Sequence, residues 1–149
     1  MAQMIPSADT SDELPRCTVY RLRMAARAAT RLYDEHLAPA GIGIAQYGLL
    51  RIVAEGGGAS VTDLARRMGL DRTTLTRNLK PLMRAGYLGL TEGPDKRTRA
   101  IVITQQGRAV LAEARPLWKS AQAQLHKRLG ADDHDALQHA LGRAIVRMS

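Results

Sequence analysis

Val61-Thr62-Asp63-Leu64-Ala65-Arg66-Arg67-Met68-Gly69-Leu70-Asp71-Arg72-Thr73-Thr74-Leu75-Thr76-Arg77-Asn78-Leu79-Lys80 decides the fold. Val61 to Met68 predicts a short helix, with Thr62 placed to cap it and Leu64, Ala65 and Met68 as its apolar side. Gly69-Leu70 breaks the run, and Asp71 is placed to cap a second helix beginning at Arg72. On that helix Leu75, Leu79, Leu82 and Met83 share one side. Arg72, Thr73, Thr76, Arg77 and Lys80 share the other. One face is therefore core, while the opposite face offers guanidiniums, an ammonium and hydroxyls with no acid among them. That is the chemistry a helix needs in a DNA major groove. Pro81 removes one backbone hydrogen bond and predicts a bend, beyond the groove-facing residues.

A hairpin follows. Tyr87-Leu88-Gly89-Leu90 and Ala100-Ile101-Val102-Ile103 are short strand-like runs, and Gly93-Pro94-Asp95 between them is turn chemistry. Lys96, Arg97 and Arg99 crowd the tip. A basic tip beside a helix-turn-helix is a wing, able to reach phosphates or a minor groove. Charge is concentrated here: residues 61–103 hold nine Lys/Arg against four Asp/Glu, most of the net +8 of the chain. Such focusing marks a nucleic-acid binder better than total charge does. Arg66, Arg67 and Arg84 read equally well as solvated helix faces.

The run from Leu64 through Leu79, then Leu82, Gly86-Tyr87-Leu88, the Asp-x-Arg of Asp95-Lys96-Arg97, Ile103-Thr104 and Gly107, resembles the MarR family of winged-helix repressors. The resemblance spans roughly residues 16–147. It implies that Asp95 braces the wing, that Arg97 enters the minor groove, and that Arg72, Thr73, Thr76 and Arg77 face bases or phosphates. With neighbouring donors, the candidate DNA-contacting set is Thr62, Arg72, Thr73, Thr74, Thr76, Arg77, Lys80, Lys96, Arg97 and Arg99.

The flanking sequence reads as helices. Pro15 to Ala38 carries an apolar stripe of Val19, Leu22, Ala26, Ala29, Leu32, Tyr33 and Leu37. Ile44 to Glu55 points Tyr47, Leu50 and Val53 inward, and Gly56-Gly57-Gly58 stops it. A long helix opens at Thr104 and runs to Leu129 through Pro116, and Asp132 is placed to cap a last one. With no Phe and one Trp, the core must be aliphatic. The expected fold is mainly α with a small β-hairpin wing. A winged helix-turn-helix core at about 44–103 is flanked by dimerisation helices at about 15–38, 104–129 and 132–148. Residues 14–149 form one domain and residues 1–13 a polar tail without periodicity.

The terminal helices are longer and more apolar than a unit of this size needs, so a homodimer is expected. The resemblance implies the same, with interlocked terminal helices placing two recognition helices on a pseudo-palindromic double-stranded operator. No apolar run approaches the ~20 residues that span a bilayer, and the start is no signal peptide. The single Cys excludes an intrachain disulfide scaffold and fits a reducing cytoplasm.

A regulator needs an input, and the resemblance offers two. One is a small aromatic acid or related anion that relieves repression. Arg27 and Arg51 would pair its carboxylate, and Tyr20, Met24 and Tyr47 would pack its ring, near Cys17. The other is peroxide sensing through Cys17, although the tyrosines that assist the cysteine in that branch have no clear matches. The plainer readings are that Cys17 is a small apolar interface residue, Tyr47 and Met24 are core, and Arg27 and Arg51 are solvated faces with acidic neighbours. No enzyme motif, metal set or cofactor loop is present, and His36, His126, His134 and His139 are scattered without metal-ligand spacing. A winged-helix protein-docking module is the remaining class. It would want apolar anchors where this chain has Arg72, Thr73, Thr76, Arg77 and Lys80.

Overall fold

In the computed structural model, which describes residues 14–93, 95 and 97–148, the apolar periodicities become six helices and a three-stranded sheet. The expected tail, residues 1–13, lies outside the described residues. Helix α1 (Thr18–Leu37) follows a single 3-10 turn at Leu14–Arg16 and ends in another at Ala38–Ala40. Helix α2 (Ile44–Gly56), strand β1 (Ala59–Ser60), helices α3 (Val61–Met68) and α4 (Arg72–Arg84), and strands β2 (Leu88–Glu92) and β3 (Arg99–Ile103) make the central unit. Helices α5 (Gln105–Leu129) and α6 (Ala131–Met148) close the chain.

The sheet order is β1-β3-β2, antiparallel throughout, with Leu88 opposite Ile103 and Glu92 opposite Arg99. Strand β1 was not expected. It is two residues long and pairs Ala59 with Ile101, too short to leave an alternation in the sequence. Helix α4 continues through Pro81 to Arg84.

Leu50, Leu64 and Leu75 are fully buried, and Leu37, Tyr47, Leu79, Leu82, Leu88 and Ile101 join them in one aliphatic core under the helix-turn-helix and the sheet. The turn between α3 and α4 rests on Gly69, whose φ of 62° lies in the left-handed region that disfavours a Cβ.

Two expected caps move. Ser60, not Thr62, caps α3: its hydroxyl oxygen accepts from the Asp63 N–H at 3.1 Å, which places Thr62 one residue inside the helix. Helix α6 begins at Ala131, and the Gly130 carbonyl accepts its first turn's bond from His134, so Asp132 lies within the first turn. There its carboxylate meets the positive helix end without capping it.

The stripe on α1 is only half used. Leu32, Tyr33 and Leu37 are buried, but Val19 is 61% and Met24 50% exposed. Helix α6 has no buried residue, and Val146 is 79% exposed.

Candidate nucleic-acid interface

Asp71 fixes where the recognition helix starts. Its Oδ1 accepts from the Thr74 N–H at 2.8 Å and its Oδ2 from the Thr74 hydroxyl at 2.5 Å. The Thr74 hydroxyl bond and then its backbone N–H hold the Asp71 carboxyl below the usual carboxylate range. Thr74 is half-buried and its hydroxyl is engaged in the cap, unlike its exposed neighbours on α4.

One face of α4 presents Arg72, Thr73, Thr76, Arg77 and Lys80, all exposed, around an open hollow of about 340 Å³. The Thr76 hydroxyl donates to the Arg72 carbonyl at 2.8 Å while the residue stays exposed. A methyl and a hydroxyl flanked by guanidiniums suit base edges, because thymine shows a methyl and guanine two acceptors in the major groove. Thr62 is exposed on α3, and Arg66 beside it pairs with Asp63 at 3.3 Å.

At the wing tip Asp95 organises the backbone. Its Oδ1 accepts from the Arg97 N–H at 3.2 Å, and its carbonyl accepts from the Thr98 N–H at 2.8 Å and the Thr98 hydroxyl at 2.9 Å. Arg97 is left exposed beyond the last strand pair, whereas Arg99 sits directly across from Glu92. Lys96 lies outside the described residues.

The interface is tied to the long helices at two points. Thr104 caps α5 by accepting from the Gly107 N–H at 3.0 Å, while its hydroxyl donates to the Gly86 carbonyl at 2.6 Å. Asp34, on α1, accepts from the Ile44 N–H at 2.8 Å and so caps α2 from another helix. The start of α5 at Thr104 was legible in the sequence, but the bonds from Thr104 to Gly86 and from Ile44 to Asp34 were not, since those partners are set by the fold.

A second concavity lies apart from this face. Tyr47, Arg51 and Glu55 on α2 and Arg108, Leu111, Ala112 and Arg115 on α5 line an open cleft of about 390 Å³. The expected ligand set is only partly assembled here. Tyr47 and Arg51 line the cleft, but Cys17, Tyr20, Met24 and Arg27 do not. Those four lie on or beside the N-terminal half of α1, where Cys17, Met24 and Arg27 are exposed. The periodicity of α1 gave no register against α2, and Arg108 and Arg115 were missed. Their spacing with Leu111 and Ala112 (i, i+3, i+4, i+7) does put all four on one helix face.

The Tyr47 ring stacks on Trp118, with centroids 5.8 Å apart, and its hydroxyl is buried without a hydrogen bond of good geometry. Arg51 bonds Glu55 at 2.6 Å, and this bond, then the nearby Tyr47 hydroxyl, raises its already high pKa. His126 and His134, eight residues apart, meet across the α5–α6 corner with ring centroids 4.8 Å apart. Among the described residues no group of three or more His, Cys, Asp or Glu could hold a metal ion. No single helix there is long and apolar enough to cross a membrane.

Comparison with known proteins bears directly on this arrangement. The MarR family model matches residues 40–98, the span from α2 to the wing. A transcriptional regulator of M. tuberculosis, MosR, solved in complex with DNA, is 34% identical, with a TM-score of 0.69 over 86% of this chain and 98% of that one. The transcriptional repressor CouR bound to p-coumaroyl-CoA is 26% identical, with a TM-score of 0.81 over 93% of this chain and 98% of that one. A mutant MarR of E. coli complexed with operator DNA is 26% identical, with a TM-score of 0.80 over 92% and 99%. The overall fold agrees with these structures over most of the chain, and the chain belongs to the MarR family of winged-helix, DNA-binding transcriptional regulators.

Proposed function

We propose that this protein is a homodimeric repressor that binds a pseudo-palindromic operator and is released by a small aromatic acid or related anion. The observation that carries the DNA reading is the acid-free exposed face of Arg72, Thr73, Thr76, Arg77 and Lys80 on a helix capped by Asp71. A protein-docking helix would need apolar anchors there, and it has none. Phosphate contacts dominate affinity and make it steeply salt-dependent, while Arg72, Thr73, Thr76 and Arg77 carry the base choice. Arg97 supplies the wing contact, with Thr62, Lys96 and Arg99 on the backbone.

The unused apolar faces of α1 and α6 support the dimer. Val19, Met24 and Val146 are exposed in one protomer, and a second copy is the simplest cover for both helices. Two recognition helices then meet half-sites roughly 10 bp apart.

The cleft between α2 and α5 supports the effector reading. Three guanidiniums line the cleft with one carboxylate, and the Tyr47 hydroxyl, which makes no hydrogen bond of good geometry, offers one to an incoming group. The likeness to CouR, which was solved with p-coumaroyl-CoA, is consistent with an aromatic effector. An effector there shifts the DNA equilibrium only by as much as it binds the two dimer spacings differently.

Selection from a pool of randomised duplexes tests the DNA reading. Enrichment of a two-fold related site with half-sites about one turn apart is expected. A pool that stays random after repeated rounds would overturn it.

A further inference from the structure

We propose that Glu55 is a displaceable counter-anion for Arg51, holding its guanidinium until a ligand carboxylate takes the same edge. This rests on the effector reading above and adds what sets the effector's threshold.

Arg51 presents the Nε and one terminal nitrogen to Glu55, at 3.2 and 2.6 Å, and both bonds fall on the single oxygen Oε1. That edge of a guanidinium is the one that pairs with a carboxylate through two parallel bonds. Glu55 reaches it from one turn along the same helix and engages it with only half of its carboxylate. A free carboxylate entering the cleft is not tethered in this way and can match both donors with both oxygens.

The exchange leaves no charge stranded. Arg51 and Glu55 are 40% and 56% exposed, so the released carboxylate returns to water. Glu55 is also the sole acid lining the cleft, whereas Arg108 and Arg115 line it without an ion pair among the described residues. Their field draws an anion in, and Glu55 is the resident group that an entering anion must outcompete. An exposed pair of this kind is weak, so the competition should cost a ligand about two- to fivefold in affinity.

The test uses benzoate as probe, with benzamide as its neutral counterpart. Trp118 is the single tryptophan and stacks on Tyr47, so its fluorescence reports occupancy of the cleft in the full-length protein. Glu55→Gln should tighten benzoate by about two- to fivefold and leave benzamide unchanged. Glu55→Ala, as a second variant, should do the same. Unchanged or weaker benzoate binding in both variants, with the wild type still binding it, would overturn the counter-anion role while leaving the effector cleft standing. If neither wild type nor variants respond to benzoate, the effector reading fails and the counter-anion role fails with it.

Discussion

Replacing Gly107 by alanine sets two opposed effects against each other. Gly107 is in the first turn of α5 and buried, and its backbone has no positive φ that would object to a side chain. Helix propensity alone would therefore make Ala stabilising by about 0.5–1 kcal/mol. An added Cβ, however, would lie 2.1 Å from the Tyr87 carbonyl oxygen and 2.8 Å from Ile103 Cγ1. The carbonyl cannot retreat freely, because the Thr104 N–H donates to it at 3.0 Å. Overpacking against backbone costs about 1–3 kcal/mol, so the clash outweighs the propensity gain.

Gly48, within α2, is the reference: a Cβ there meets nothing within 4 Å. Gly48→Ala should raise stability by about 0.5–1 kcal/mol. Gly107→Ala should lower it by the difference of the two effects, up to about 2.5 kcal/mol, with a thermal midpoint up to roughly 10 °C below wild type for a chain of this size. Urea and thermal melts of all three proteins must be run at one protein concentration, because dimer formation couples the midpoint to it. A Gly107→Ala protein as stable as Gly48→Ala would show that α5 does not press on the wing as described.

Other substitutions probe the interface and the cleft. Asp71→Ala should destabilise the fold at neutral pH. The Asp71 carboxyl is depressed below its unfolded value by Thr74, so its contribution is present above the unfolded pKa and lost as pH falls through the folded one. The gap between wild type and Asp71→Ala should accordingly narrow below about pH 4 in pH-dependent melts. Arg97→Ala should weaken operator binding by about 1–3 kcal/mol if its guanidinium reads a groove edge. A footprint of unchanged affinity would leave the wing tip over the backbone. Tyr47→Phe removes a buried hydroxyl that has no bond of good geometry, so the ligand-free protein should melt no lower than wild type. Benzoate titrated against Trp118 fluorescence should bind that variant more weakly.

The helix-turn-helix was legible because its signals are local. Asp71 caps within three residues, and Leu75, Leu79 and Leu82 mark the buried face without help from any other element. Ser60 and Thr62 are both good capping residues, and local chemistry could not choose between them. The choice follows from β1, which holds Ser60 in extended backbone against Ala100. The cleft was the least legible part, because it depends on which faces of α2 and α5 meet. Reading Tyr47 and Arg51 from the second helix found one wall. The other wall, Arg108 and Arg115, lies on a helix more than fifty residues away in sequence. The sequence predicts terminal helices that carry more apolar surface than one protomer covers, and the N-terminal half of the α1 stripe is exposed.

The most direct measurement is fluorescence anisotropy of the purified protein on duplex from the intergenic region beside its own gene, against a scrambled duplex, across a salt series. A sequence-specific regulator should bind the first at least ~10³-fold more tightly at physiological salt, with both affinities falling as salt rises. Equal affinity for the two duplexes, lost together with salt, would contradict base reading by the Arg72–Lys80 face and leave only a basic surface.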